Sequence, residues 1–226
     1  PVTRIFLPEL ELDPNTVISG GFDPQAGLVN VNGRSSMVSV NRLKFHDWNL
    51  TGSSSEGMLK LDMNCRSLDL LSDGDDTYGI EFLKLTSLSK NDSIRFSLNW
   101  NDQDTIDHNR AEIGGIVSFS NYPVLKVGLD AAAVIINDTS WNILPGGIIT
   151  VDTSALHIEN LEFRSSNQSL TLDGSITRDP LDQLNILFNN FNISQLDLLT
   201  VAQGIDFDGF LDGTINVSDI YNVPLI

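Results

Sequence analysis

The chain contains a single cysteine, Cys65, in 226 residues, which excludes an internal disulfide framework and a cysteine-rich zinc site. Cations are also scarce. With 13 Lys and Arg against 30 Asp and Glu, the formal net charge of -17 repels a phosphate backbone and excludes nucleic acid as a partner. Long apolar runs are missing too. The longest, Ala131 to Ile136, falls far short of the roughly 20 residues a helix needs to cross a bilayer, and no charged-then-apolar leader opens the chain. Helix formers are depleted: Ala, Glu and Lys together number 19, while Asn alone reaches 21 and 23 of the 30 acids are Asp. Asp and Asn favour turns and strand ends. Apolar residues make up 41% of the chain and occur along its whole length, so a disordered acidic segment is excluded and a mainly β fold is expected.

Strict alternation of apolar and polar residues is the main positive signal. In Leu59-Lys60-Leu61-Asp62-Met63-Asn64-Cys65-Arg66 the odd positions are apolar, which places Leu59, Leu61, Met63 and Cys65 on one face of a half-buried strand. The same pattern covers 94–100, 170–177 and 184–189. Further strands are expected near 2–7, 16–22, 27–33, 36–48, 80–88, 111–120, 124–136, 148–163 and 209–218. Turn chemistry separates them at Asp13-Pro14-Asn15, Asp23-Pro24, 72–76, 90–92, 101–104, Pro145-Gly146-Gly147 and Asp179-Pro180. Gly52-Ser53-Ser54-Ser55-Glu56-Gly57 reads as a polar turn. Connections this short imply antiparallel pairing. No linker-like stretch divides the chain, so residues 1–226 read as one continuous β segment.

One helix is signalled near 195–203. Ser194 fits an N-cap, Ile193 and Leu198 the hydrophobic-staple positions, and Gly204 the glycine that ends a helix. The motif Leu172-Asp173-Gly174-Ser175-Ile176 returns 39 residues later as Leu211-Asp212-Gly213-Thr214-Ile215, which suggests a repeat unit. Glycine within a strand permits a bulge, a bend or close backbone approach, as a strongly curved sheet requires.

The search for chemistry is negative. His46, His108 and His157 are far apart and match no metal-hydrolase spacing, and no nucleophile elbow, phosphate loop or dinucleotide fingerprint is present. Asp73-Gly74-Asp75-Asp76 opens like a calcium loop, but Tyr78 stands where the invariant glycine belongs and Lys84 where the bidentate Glu belongs. No enzyme activity, cofactor or metal is expected. Six Asn-x-Ser/Thr sequons, at Asn49, Asn91, Asn137, Asn167, Asn192 and Asn216, arise readily by chance in a chain this rich in Asn, Ser and Thr. Trp48, Trp100 and Trp141 fit core or sheet-edge anchors better than a sugar-stacking platform.

From Trp141 onward a family pattern emerges. Trp141-Asn142-Ile143-Leu144-Pro145 is followed by the strand 155–163 and by Gln168-Ser169-Leu170-Thr171-Leu172-Asp173-Gly174-Ser175-Ile176. Then come Asp179-Pro180-Leu181-Asp182-Gln183-Leu184, the helix beginning Ser194-Gln195-Leu196, and Phe210-Leu211-Asp212-Gly213-Thr214-Ile215-Asn216-Val217 closing on Pro224. In order and wording this resembles the TamB family of AsmA-like envelope proteins, and Asp92-Ser93-Ile94-Arg95-Phe96-Ser97-Leu98-Asn99-Trp100 extends the resemblance toward the start.

The resemblance implies an elongated, strongly curved antiparallel sheet, the β-taco, with an open hydrophobic groove. It implies phospholipid transfer between the membranes of a Gram-negative envelope, or outer-membrane protein assembly beside an outer-membrane β-barrel partner. It further implies a periplasmic fragment of a longer protein, anchored to the inner membrane through a region absent from this segment. Phospholipid acyl chains are then the guests. The inward hydrophobics expected to line the groove are Leu59, Leu61, Met63, Phe96, Leu98, Leu156, Ile158, Leu170, Leu172, Ile176, Leu184, Ile186 and Phe188. The same alternation would also build the dry core of a closed sandwich, which leaves a surface β-sandwich binding module, an adhesin or glycan binder, as the alternative.

Overall fold

The computed structural model describes residues 10–41, 43–73, 76–102, 109–136, 138–197 and 206–218. Sixteen strands form one antiparallel sheet, and the chain divides into two compact units, Pro1–Glu112 and Ile113–Ile226.

The first unit holds β1 (Leu10–Leu12), β2 (Val17–Asp23), β3 (Leu28–Val40), β4 (Leu43–Ser55), β5 (Met58–Asp73), β6 (Asp76–Lys90) and β7 (Ser93–Asn101). It is a meander: β3 to β7 pair in chain order, and β1 and β2 both pair with β3. The hairpins are tight because their turn residues tolerate positive φ. Ser55 pairs with Met58 across Glu56 (φ 52) and Gly57 (φ 72), two left-handed residues in succession, as a twist-matched two-residue hairpin needs.

Two expectations change here. Residues 36–48 are two strands, turning at Asn41 (φ 55) between Val40 and Leu43. The segment 52–57 is mostly strand, with only Glu56 and Gly57 in the turn, because its serines fit a strand and Gly52 fills a position that tolerates no side chain. A Cβ on Gly52 would lie 2.6 Å from both Leu61 Cδ2 and Val31 Cγ1.

β8 (Arg110–Asn121) begins at the junction, and β9 (Val124–Leu129), β10 (Ala132–Ile136), β11 (Thr139–Ile143), β12 (Ile148–Val151), β13 (Leu156–Ser165), β14 (Gln168–Ile176), β15 (Gln183–Asn192) and β16 (Phe210–Ser218) follow. Neighbours run β8, β9, β12, β13, β14, β15, β16, with β10 and β11 reaching β13 beside β12. The expected strands 124–136 and 148–163 are each two strands. The second breaks where Asp152 accepts from the Ser154 amide at 2.7 Å and its own N–H donates to the Ala155 carbonyl at 3.0 Å, a local bonding pattern that competes with the ladder. β11 was not signalled by alternation.

The expected helix begins differently. Asn192, two residues before Ser194, is the cap: its side chain accepts from the Ser194 amide at 3.1 Å and leads into a short 3-10 turn, Ile193–Leu196. The remainder of the expected helix falls on residues 198–205, including Leu198 and Gly204, which lie outside the described residues, as do the expected strand 2–7, Gly74, Asp75 and His108.

Each unit has its own hydrophobic cluster. In the first, Cys65, Leu68 and Leu83 pack with Phe45, Trp48, Leu98 and Trp100. In the second, Trp141, Phe188 and Phe191 pack with Phe163, Leu170 and Ile186, the Trp141 and Phe191 rings lying 5.7 Å apart.

Candidate functional site

Strand register places all of the expected lining residues of each unit on one face. In the first unit Met63, Leu85 and Leu98 stand opposite one another across β5, β6 and β7, as do Leu61, Ser87 and Phe96; Leu59 falls in the next row, with Ser89 and Ile94. The rows continue into β4 and β3: Met63 faces Leu50, which faces Gly33, and Leu61 faces Gly52, which faces Val31. All five expected residues here are half-buried.

In the second unit Leu156 pairs with Ile176, and Ile158 with Gly174 and on to Leu184. Leu172 pairs with Ile186 and Leu170 with Phe188. Ile158, Ile176, Leu184 and Phe188 are buried, while Leu156, Leu170, Leu172 and Ile186 are half-buried.

The structure adds Leu161, Phe163 and Phe191 to this face. They were missed because the alternation slips by one residue at two bulges, between Ile158 and Leu161 and between Phe188 and Phe191. Residues three apart on a regular strand point to opposite faces; the extra residue of a bulge returns them to the same one. The legible signal was an apolar pair spaced by three across an Asn at 160 or 190.

Nine of the thirteen expected lining residues are only half-buried, so these faces are covered only in part by the chain's own atoms. The opposite face is polar and bears the ions. Lys60 meets Asp62 at 2.9 Å, Arg66 meets Asp47 at 2.6 Å, Arg164 meets Glu162 at 2.6 Å, and His46 meets Asp69 at 2.9 Å. His157 bonds Ser175 at 2.7 Å. The Asp152 carboxyl is held below its ordinary range by hydrogen bonds from the amide and hydroxyl of Ser154.

Among the described residues no group of three or more His, Cys, Asp or Glu is placed to hold a metal ion. The Cys65 thiol is pushed up to about 11 by burial, which keeps it protonated and a poor nucleophile near neutral pH. All three tryptophans pack into the hydrophobic clusters. No family model, curated protein or solved structure matches the chain.

Proposed function

We propose that this chain is a non-enzymatic cell-envelope segment whose apolar sheet faces shelter phospholipid acyl chains during transfer between membranes, or outer-membrane proteins during assembly. The observation that carries the reading is the partial covering of these faces. The thirteen expected lining hydrophobics share one face within each unit, yet nine of them are only half-buried. A closed sandwich of this length would bury most of them at its centre. An acyl chain laid along such a face gains about 0.8 kcal/mol for each methylene removed from water, with the headgroup left wet, so movement along the face needs no bond chemistry. The resemblance of the sequence to the TamB family supports a periplasmic setting for this work, with an inner-membrane anchor elsewhere in a longer protein and an outer-membrane β-barrel as partner.

The test is site-specific photo-crosslinking. A benzophenone side chain replacing Leu61 or Leu172 should capture phospholipid from cells, detected by mass spectrometry, while the same group replacing outward-facing Leu187 should not. Equal labelling from both faces, or none from any inward position, would overturn the proposal.

A further inference from the structure

The two most exposed large hydrophobic side chains among the described residues are Leu181, at 84%, and Tyr122, at 83%. Both belong to the second unit, and both sit at the apex of a short turn. Leu181 follows Pro180 in a turn where the Asp182 amide donates to the Asp179 carbonyl at 3.1 Å and the Leu181 amide to Asp179 Oδ1 at 2.9 Å. The Asp179 amide in turn donates to Thr177 Oγ1 at 2.9 Å. Tyr122 precedes Pro123 in the β8–β9 turn, its amide donating to the Phe119 carbonyl at 3.1 Å. These turns are built and held, and their apolar tips contribute nothing to any core.

Register puts both tips at the same end of the unit. Asn121 pairs with Val124 across the β8–β9 turn; Leu125 then pairs with Val151, Val151 with Leu156, and Leu156 with Ile176, which leads into the turn bearing Leu181. Three hairpin ends, β8–β9, β12–β13 and β14–β15, therefore stand side by side. Four strand spacings separate the outer two, so the tips are about 19 Å apart. Directly behind them lies the last row of the apolar face, where Leu125 and Val151 are 38% and 37% exposed. The turn at the other end of β13 and β14 carries Ser166 and Asn167 instead.

We infer that this row of turns docks on the surface of a zwitterionic lipid bilayer, with Tyr122 and Leu181 entering the interface. The spacing selects the partner. Two apolar points separated by the polar Thr153-Ser154 turn do not make the contiguous apolar centre that a protein interface needs, whereas a bilayer is laterally uniform and accepts separated anchors along one line. Tyrosine suits that depth, with an apolar ring and a polar hydroxyl. Charge selects the lipid, since a chain of net charge -17 is repelled by an anionic surface. The carboxylates nearest the tips, Asp152, Asp179 and Asp182, accept hydrogen bonds from Ser154, Leu181 and, at 2.7 Å, the Thr177 hydroxyl, and their charge adds to that repulsion. The exposed cations Lys126 and Arg178 stand near the same edge.

Flotation with phosphatidylcholine vesicles tests this. The wild-type chain should float, and each of Tyr122→Ser and Leu181→Ser should weaken partitioning about tenfold, the loss expected for one exposed apolar anchor. Added phosphatidylglycerol should weaken binding further. A nitroxide on Leu181→Cys, in a Cys65→Ala background, should become accessible to oxygen and shielded from aqueous nickel complexes on vesicle binding, while one on Ser166→Cys stays aqueous. No flotation, unchanged flotation of the double variant, or an aqueous signal at position 181 would overturn the inference. Lipid capture from Leu172 in the double variant reports on the apolar face separately, so failure here and failure of the lipid-sheltering reading are distinguishable.

Discussion

The backbone N–H of Asn190 donates to Asp212 Oδ1 at 2.7 Å, from β15 to β16. The same bond joins Asn160 to Asp173 at 3.0 Å, from β13 to β14. Both asparagines adopt positive φ, 45 and 48, and both are the second of two residues that oppose a single Asp. The residues around them correspond as well: Ile158 and Phe188 face Gly174 and Gly213, while Leu161 and Phe191 face Leu172 and Leu211. The repeated Leu-Asp-Gly motif is therefore the locking half of a bulge. Its Asp satisfies the amide the bulge frees, and its Gly takes the left-handed backbone beside it, φ 122 at Gly174 and 151 at Gly213.

Removing the lock should cost stability without changing the fold. Asp173→Ala and Asp212→Ala each forfeit a carboxylate bond to a backbone amide in an exposed setting, an expected loss of about 1 kcal/mol. Urea denaturation followed by circular dichroism should show a lower midpoint and unchanged slope. A loss within error of zero at both sites would mean that the bulges stand without their aspartates.

Gly174→Ala should be worse than either. Besides the unfavourable φ, a Cβ at this position would fall 2.2 Å from the Gln183 carbonyl oxygen on β15, which is backbone and cannot swing aside. A cost of about 3 kcal/mol is expected, against about 1 kcal/mol for Gly57→Ala, where φ is also positive but no atom lies within 4 Å. Equal thermal shifts for the two variants would refute the role assigned to close approach.

Much of this architecture was legible because one face of each strand is wet. Alternation placed Leu59, Leu61 and Met63 correctly, and the Asp- and Gly-bearing turns marked most hairpins. It failed where a residue of extra length interrupts the period, at Asn160 and Asn190, so Leu161 and Phe191 fall outside the expected lining. Alternation also ran straight through Asn41 and Asp152, where side-chain or backbone turn preferences end a strand without an apolar break. The helix start was misread because Asn192 and Ser194 are both good caps, and the choice between them depends on where β15 stops. No sequence period announces the exposed tips at Tyr122 and Leu181; only register shows that they share an end.

The assignment of faces on β15 is open to direct test. Phe188 is buried against Phe191, with ring centroids 5.3 Å apart in an edge-on contact, whereas its neighbour Leu187 is exposed on the other side of the sheet. Phe188→Ala should cost about 3 kcal/mol or more and Leu187→Ala less than about 0.5 kcal/mol in equilibrium unfolding. Comparable losses would mean that both faces of β15 are packed, which would remove the asymmetry on which the lipid-sheltering proposal depends.

Cys65 offers an internal reporter for the first unit. At 3% exposure, with its thiol pushed up to about 11 by desolvation, it should resist alkylation in the native state and react at the ordinary rate once the unit opens. The same shift fixes a pH dependence. The folded state favours the protonated thiol more strongly than the unfolded state, whose thiol titrates near 9.0, so this contribution is fully present below pH 9 and is lost as pH rises through about 11. Wild type should lose up to about 2 kcal/mol over that window relative to Cys65→Ala, which has no thiol to ionise. Parallel stability curves for the two proteins, or rapid native alkylation at neutral pH, would show that the cluster around Cys65, Leu68 and Leu83 is open to water.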